Sequence, residues 1–134
     1  MNFFLNKKVG ILGLSRTGIS SIKFLKKKGF DVFGWDDNKE ILSEAKKNRL
    51  NIKNLNNTNL KKMEFLVVSP GIPSLGKKKH VILKKAKKEN VEIVNDIELF
   101  FRFNPEEKYI GVTGTNGKST TVCLLSHIFK KLKI

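Results

Sequence analysis

The sequence predicts an α/β protein built on a parallel sheet, and three observations carry that prediction. Short apolar runs rich in β-branched and aromatic residues alternate with stretches of helical periodicity. The connections between them are short and marked by glycine, asparagine or proline. One run, Phe65-Leu66-Val67-Val68, is apolar at every position, as a strand covered on both sheet faces must be. Strands that alternate with helices need crossover connections, and crossovers join parallel strands.

Val9 to Leu12 is the first predicted strand, and it ends in glycine. From about Ser15 to Lys28, the residues Gly18, Ile22, Leu25 and Gly29 recur at helical spacing on one face. Phe30 to Trp35 is the second strand, followed by the acidic pair Asp36-Asp37; Ile41, Leu42 and Ala45 mark a shorter helix. The asparagine-rich stretch 48–59 is predicted as loop around a weak strand near Leu50–Ile52. Ser69-Pro70-Gly71-Ile72-Pro73 stops the buried strand abruptly. A lysine-rich helix is predicted over 78–89 and a strand over 91–94. Asp96 is placed to cap a helix carrying Leu99, Phe100 and Phe103. Asn104-Pro105-Glu106-Glu107 is polar and contains proline, so it reads as a linker. A strand over Tyr109–Val112, a glycine-rich turn and a helix striped by Val122, Leu125, Phe129 and Leu132 are predicted beyond it. Residues 1–104 then form one small α/β domain, and residues 105–134 the first strand, turn and helix of a second, truncated one.

A chain of 134 residues, 40% hydrophobic, supports one domain with a real core. The net charge of +15 admits nucleic acid as a partner. Only Arg16, Arg49 and Arg102 are arginines, however, and groove recognition favours the planar guanidinium. The lysine clusters (Lys26-Lys27-Lys28, Lys77-Lys78-Lys79, Lys84-Lys85, Lys87-Lys88) fall on outer helix faces. They are read as solvated surface that would also welcome an anionic ligand, so no nucleic-acid partner is predicted. Cys123 is the single cysteine, which excludes an internal disulfide and fits a reducing cytoplasm. The apolar opening, residues 1–6, is too short for a signal peptide, and no run is long enough to span a bilayer.

Two strand-to-helix corners carry chemistry. Gly114-Thr115-Asn116-Gly117-Lys118-Ser119-Thr120 opens the last helix. A glycine turn at a helix N-terminus presents main-chain N–H groups and positive potential to a polyphosphate. Lys118 would reach the outer phosphates and the Ser119 hydroxyl a Mg²⁺ ion. The glycine spacing departs from the strict phosphate loop, with Gly111 six before Gly117. At the first corner, Gly10-Ile11-Leu12-Gly13-Leu14-Ser15-Arg16-Thr17-Gly18 is similar to the dinucleotide fingerprint, with Ser15 in place of its middle glycine. Asp36 ends the second strand, where that fold places a ribose-binding acid. Gly13 and Gly18 also suit plain helix–sheet packing, and the Ser69–Pro73 turn suits structure and ligand contact equally. Trp35 is expected in the core or a pocket wall, His80 in solvent, and Cys123 and His127 as packing or surface residues.

Taken together these residues resemble the Mur ligases. Gly114–Thr120 is similar to that family's phosphate loop, including its altered spacing. The Gly13…Thr17-Gly18 turn, Ser69-Pro70-Gly71-Ile72-Pro73 and Asp96-Ile97-Glu98-Leu99-Phe100 look like the branch that adds D-glutamate to UDP-N-acetylmuramoyl-L-alanine. The resemblance implies a Rossmann-like first domain that cradles the UDP group through Ser15, Arg16, Thr17, Asp36, Ser69 and Gly71. It also implies a central domain that binds ATP through Gly114, Thr115, Asn116, Gly117, Lys118, Ser119 and Thr120. Lys118 would be catalytic and Ser119 would ligate Mg²⁺. The implied enzyme is a monomeric, cytoplasmic peptidoglycan-precursor ligase that joins D-glutamate through an acyl phosphate. The chain corresponds only to the front of that architecture, so these residues alone are expected not to catalyse ligation. Ser15 stands where the family commonly has glycine, and Arg16 where it commonly has an apolar residue. The competing reading is a stand-alone module that binds NAD(P) or another nucleotide without turnover.

Overall fold

The computed structural model describes residues 6–76 and 78–133. Most of the opening run, Lys77 and Ile134 lie outside the described residues. The chain divides into two compact units, Met1–Phe103 and Asn104–Ile134, each described by itself.

The first unit runs β1 (Lys8–Leu12), α1 (Arg16–Lys27), β2 (Asp31–Trp35), α2 (Lys39–Lys47), a 3₁₀ turn (Leu60–Lys62), β3 (Met63–Val68), α3 (Val81–Lys88), β4 (Glu92–Asn95) and α4 (Asp96–Phe103). Its sheet has the order β2-β1-β3-β4, and every pairing is parallel. β1 is central, with Val9 opposite Val32 on one side and Phe65 on the other. Alternation along the strands divides the core between the two faces. Val9, Ile11, Val32, Phe65, Val67 and Val94 meet Ile22 and Leu25 of α1, Ala45 of α2 and Leu99 of α4. Leu12, Leu66 and Val68 meet Ile82, Leu83 and Ala86 of α3, with Leu55 and Leu60 beside them. This is the doubly covered parallel sheet that the sequence predicts.

Helix ends follow from capping chemistry. Asn38 accepts hydrogen bonds from the N–H groups of Glu40 and Ile41 and starts α2. The Asn95 side chain accepts from Glu98 N–H at 2.7 Å, so Asn95, not Asp96, caps α4. Asp96 instead occupies the first turn, where its charge suits the helix dipole. The weak strand expected near residues 50–52 is reduced to one bridge, Gly34 to Ile52. The loop before β3 is clasped by α3. The Lys85 ammonium donates to the carbonyls of Asn56 (2.6 Å) and Thr58 (2.7 Å), while Glu89 accepts from Leu60 N–H (2.7 Å).

In the second unit α5 (Lys118–Leu132) forms, but residues 109–112 are not a strand. A strand is completed by a neighbour's N–H and C=O groups, and no described strand pairs with this segment. No residue of α5 is buried, and Val122, Leu124, Ile128 and Leu132 are exposed. Among the described residues no helix is long and apolar enough to cross a membrane.

Packing of α1 on the sheet depends on Gly18. A Cβ there would lie 1.9 Å from the Gly13 carbonyl oxygen. Alanine would raise helix propensity by about 1 kcal/mol, against a steric penalty of about 3 kcal/mol. Gly18→Ala should therefore lower unfolding stability by about 2 kcal/mol in urea melts. Gly71→Ala, whose Cβ would meet nothing within 4 Å, should be near neutral. Lys85→Met should raise hydrogen exchange across residues 54–60, since three carbonyls within 3.4 Å of its ammonium lose their donor.

Candidate functional site

β1 is followed by β2 on one side of it and reached by β3 on the other, so the sheet has its topological switch point at the C-terminal ends of β1 and β3. The turn after β1 is drawn tightly onto both neighbours. Gly13 N–H donates to Trp35 O at 2.8 Å, and Ser69 N–H donates to Leu12 O at 2.9 Å. The Ser69 hydroxyl donates to Gly13 O at 2.9 Å, and Ser69 is buried. Gly13 has φ +92°, and a Cβ there would lie 2.8 Å from that of Ser69. Glycine is required on both counts.

This geometry sets the N-terminus of α1 at the edge. Ser15 is its N-cap residue but makes no side-chain cap bond, leaving the first-turn N–H groups open to an anion. Ser15 and Arg16 are exposed and Thr17 is half-buried. Gly71 is exposed in the turn beyond β3. The residues anticipated for UDP therefore gather on the turns of one sheet edge, but they differ in what they offer. Ser69 faces inward and holds two turns together. Asp36 receives Leu14 N–H on Oδ2 (2.8 Å) and Asn38 N–H on Oδ1 (2.9 Å), so its carboxylate clasps the β1 and β2 turns. A cleft of about 360 Å³ opens beside Arg16 and Thr17, between α1 and the Asp96 end of α4, floored by Phe24 and Leu99.

Residues outside the anticipated set also stand here. Asp37 accepts from the Trp35 indole N–H on Oδ1 (3.0 Å) and bonds His80 Nε2 through Oδ2 (2.7 Å). His80 Nδ1 accepts from Ile82 N–H at 3.2 Å, capping α3, so the ring proton lies on Nε2 and is donated to Asp37. The His80 side chain is only 11% exposed, which corrects the solvated reading. Its lysine neighbours in sequence carried no hint of a carboxylate brought in from 43 residues away. The hydrogen bond from His80 holds the Asp37 carboxyl below the usual aspartate range, against the opposing effect of burial and with further help from Trp35.

In the second unit Gly117 is the N-cap residue of α5, in the left-handed region at φ +76° and without a side-chain cap bond. Residues 113–120 are exposed. Lys118 Nζ donates to the carbonyls of Gly114 and Thr115. The donor set of open helix N–H groups, an ammonium and the Ser119 and Thr120 hydroxyls fits a polyphosphate. Among the described residues no group of three His, Cys, Asp or Glu side chains could hold a metal. Cys123 and His127 lie on the exposed surface of α5.

One pattern links the two corners. Among the described residues the other helices have side-chain caps, from Asn38, His80 and Asn95, and Asn59 caps the 3₁₀ turn. The helices without one are α1 and α5, which begin at the two glycine turns.

Sheet order, switch point and glycine turn define the first unit as a Rossmann-like domain. The shikimate dehydrogenase structure from Aquifex aeolicus shares this fold. Its TM-score is 0.54 at 19% identity, over 72% of this chain and 45% of that one. Residues 7–95 match the family described as Mur ligase MurD-like, N-terminal domain, and the chain belongs to that family. It is 36% identical to the UDP-N-acetylmuramoylalanine--D-glutamate ligase of Bartonella henselae, covering 97% of this chain. It is 40% identical to the proteins of that name from Wolbachia pipientis wMel and Rickettsia prowazekii, over 97% and 96% of this chain. The chain spans only 30%, 26% and 28% of the length of these relatives.

A carboxyl whose folded pKa is lowered contributes stability above its unfolded pKa and loses it as pH falls through the folded value. Carbon-detected NMR should therefore find Asp37 titrating below the usual aspartate range, and His80→Ala should raise its midpoint towards that range.

Proposed function

We propose that the first unit holds the UDP group of UDP-N-acetylmuramoyl-L-alanine at the C-terminal edge of its sheet. In the same reading, the Gly114–Thr120 turn holds Mg-ATP within a larger ATP-dependent ligase. That enzyme would join D-glutamate to the substrate through an acyl phosphate, as a cytoplasmic monomer in peptidoglycan synthesis. The supporting observation is the coincidence of uncapped helix N-termini with the two glycine turns. A buried hydroxyl and tight glycine contacts set the first turn rigidly, so its N–H groups are aimed before any ligand arrives.

The roles divide by position. Main-chain N–H groups of residues 15–17 receive the diphosphate, and Arg16, exposed at the helix start, adds a charge-assisted contact. Asp36 maintains the turn geometry and keeps lone pairs facing a ribose. ATP supplies the phosphoryl group when bound; Lys118 neutralises charge on it and Ser119 offers its hydroxyl to Mg²⁺. To do so, the Lys118 ammonium leaves the Gly114 and Thr115 carbonyls that it bonds here.

Calorimetry with UDP, NADP and a short DNA duplex tests the reading. UDP-selective binding is expected, weakened about tenfold by Arg16→Ala. NADP-selective binding would replace the proposal with a dinucleotide module, and steeply salt-dependent DNA binding would overturn it. The 134-residue chain should show only background phosphate release with ATP and D-glutamate, because the exposed apolar residues of α5 leave its turn without packing support. Robust turnover would contradict that expectation.

A further inference from the structure

We propose that His80 is a positioning residue for the ligand edge, acting through Asp37 to hold the loop of residues 36–38 in its ligand-ready form. The inference rests on the UDP reading above and names a residue that this reading does not use.

The argument begins with topology. β1 lies between β2 and β3, so a residue that leaves β3 and touches the end of β2 must come back across the end of β1. The chain does this between Ser69 and His80. Pro73 O accepts from His80 N–H at 2.9 Å, which anchors the return. His80 then bonds Asp37 at 2.7 Å. The residues that result frame the switch point from two sides. The α1 N-terminus rises on the face that packs α1, and Trp35, Asp37 and His80 stand on the face that packs α3.

The chemistry of His80 suits this task. Nδ1 is engaged by Ile82 N–H, so the imidazole cannot swing without uncapping α3. Nε2–H is therefore a donor fixed in direction, and only 11% of the side chain is exposed. Asp37, by contrast, has a side chain 62% exposed and would sample several rotamers if it were not held. Trp35 N–H holds its other oxygen. With both oxygens bound, Asp37 pins the backbone next to Asp36, whose own carboxylate sets the Leu14 N–H at the phosphate turn. His80 is thus connected to the predicted diphosphate turn through Asp37, Asp36 and Leu14, with no contact of its own to ligand required.

The test is a double-mutant cycle on the 134-residue chain, using UDP as the probe. His80→Asn retains an N-cap oxygen for α3 but is too short to reach Asp37. It should keep the helical circular dichroism and weaken UDP about three- to tenfold, the effect of one lost hydrogen bond. The chain has one tryptophan, so the emission of Trp35 should shift in the same variant without ligand. In an Asp37→Ala background, which leaves the cap intact, His80→Asn should have no further effect on UDP affinity. Wild-type affinity in His80→Asn, or equal weakening with and without Asp37, would overturn the positioning role while leaving the UDP reading intact. Failure of the wild-type chain to bind UDP would overturn the UDP reading and this inference with it.

Discussion

The Gly13 carbonyl oxygen is the point on which the first unit is assembled. The backbone of α1 rests against it at Gly18, at a distance where any side chain would collide, and the buried Ser69 hydroxyl donates to it from the end of β3. The N–H of the same residue is donated to the last residue of β2. One peptide neighbourhood therefore registers β2, β1, β3 and the first helix. Such an approach is possible only where two residues lack Cβ atoms and a third is small with a hydroxyl to donate. Larger residues would lift α1 away from the sheet and carry its open N–H groups away from the switch point.

Charge follows the same architecture. In a parallel α/β unit each helix begins at the C-terminal edge of the sheet and ends at the opposite one. Exposed lysines concentrate in last turns: Lys26 and Lys27 in α1, Lys46 and Lys47 in α2, and Lys87 and Lys88 in α3, where Lys85 instead bonds loop carbonyls. There they oppose the negative ends of the helix dipoles. The edge that carries helix N-termini has positive potential from the main chain instead. Part of the net charge of +15 is thereby a solvated complement to helix ends, and the anion binding proposed above draws on backbone geometry at the other pole.

The edge proposed for recognition is layered. The outward-facing groups are helix N–H groups, Arg16 and the open side of the Asp36–Asp37 pair. Behind them stand groups bonded to other parts of the protein: Ser69 between two turns, His80 between a helix cap and a carboxylate, and Trp35 as a donor to Asp37. The second unit has the first kind of group without a comparable backing, since none of its helix is buried. Its turn is chemically suited to phosphate, with its lysine turned onto its own carbonyls.

The alternation of apolar runs with amphipathic stretches was enough to identify the four β-strands and four α-helices of the first unit, because periodicity is a local property of the chain. The glycine turn and the placement of Arg16, Thr17 and Asp36 at one sheet edge were legible for the same reason: a strand followed by glycine and a helix start is written in consecutive residues. Residues 109–112 misled because a strand exists only beside a partner, and β-propensity says nothing of whether one is there. Asn95 and Asp96 are both competent caps, and the choice between them depends on where β4 releases the chain. His80 looked solvated among lysines; its partner stands just past the end of β2, across β1 from β3, and only the strand order brings the two together. The amino-acid order by itself thus determined which segments of the first unit are strands and helices and where glycine turns meet helix starts. The tertiary structure alone decided which side chains support those places, because hydrogen bonds between distant residues are set by the packing of elements and not by neighbours along the chain.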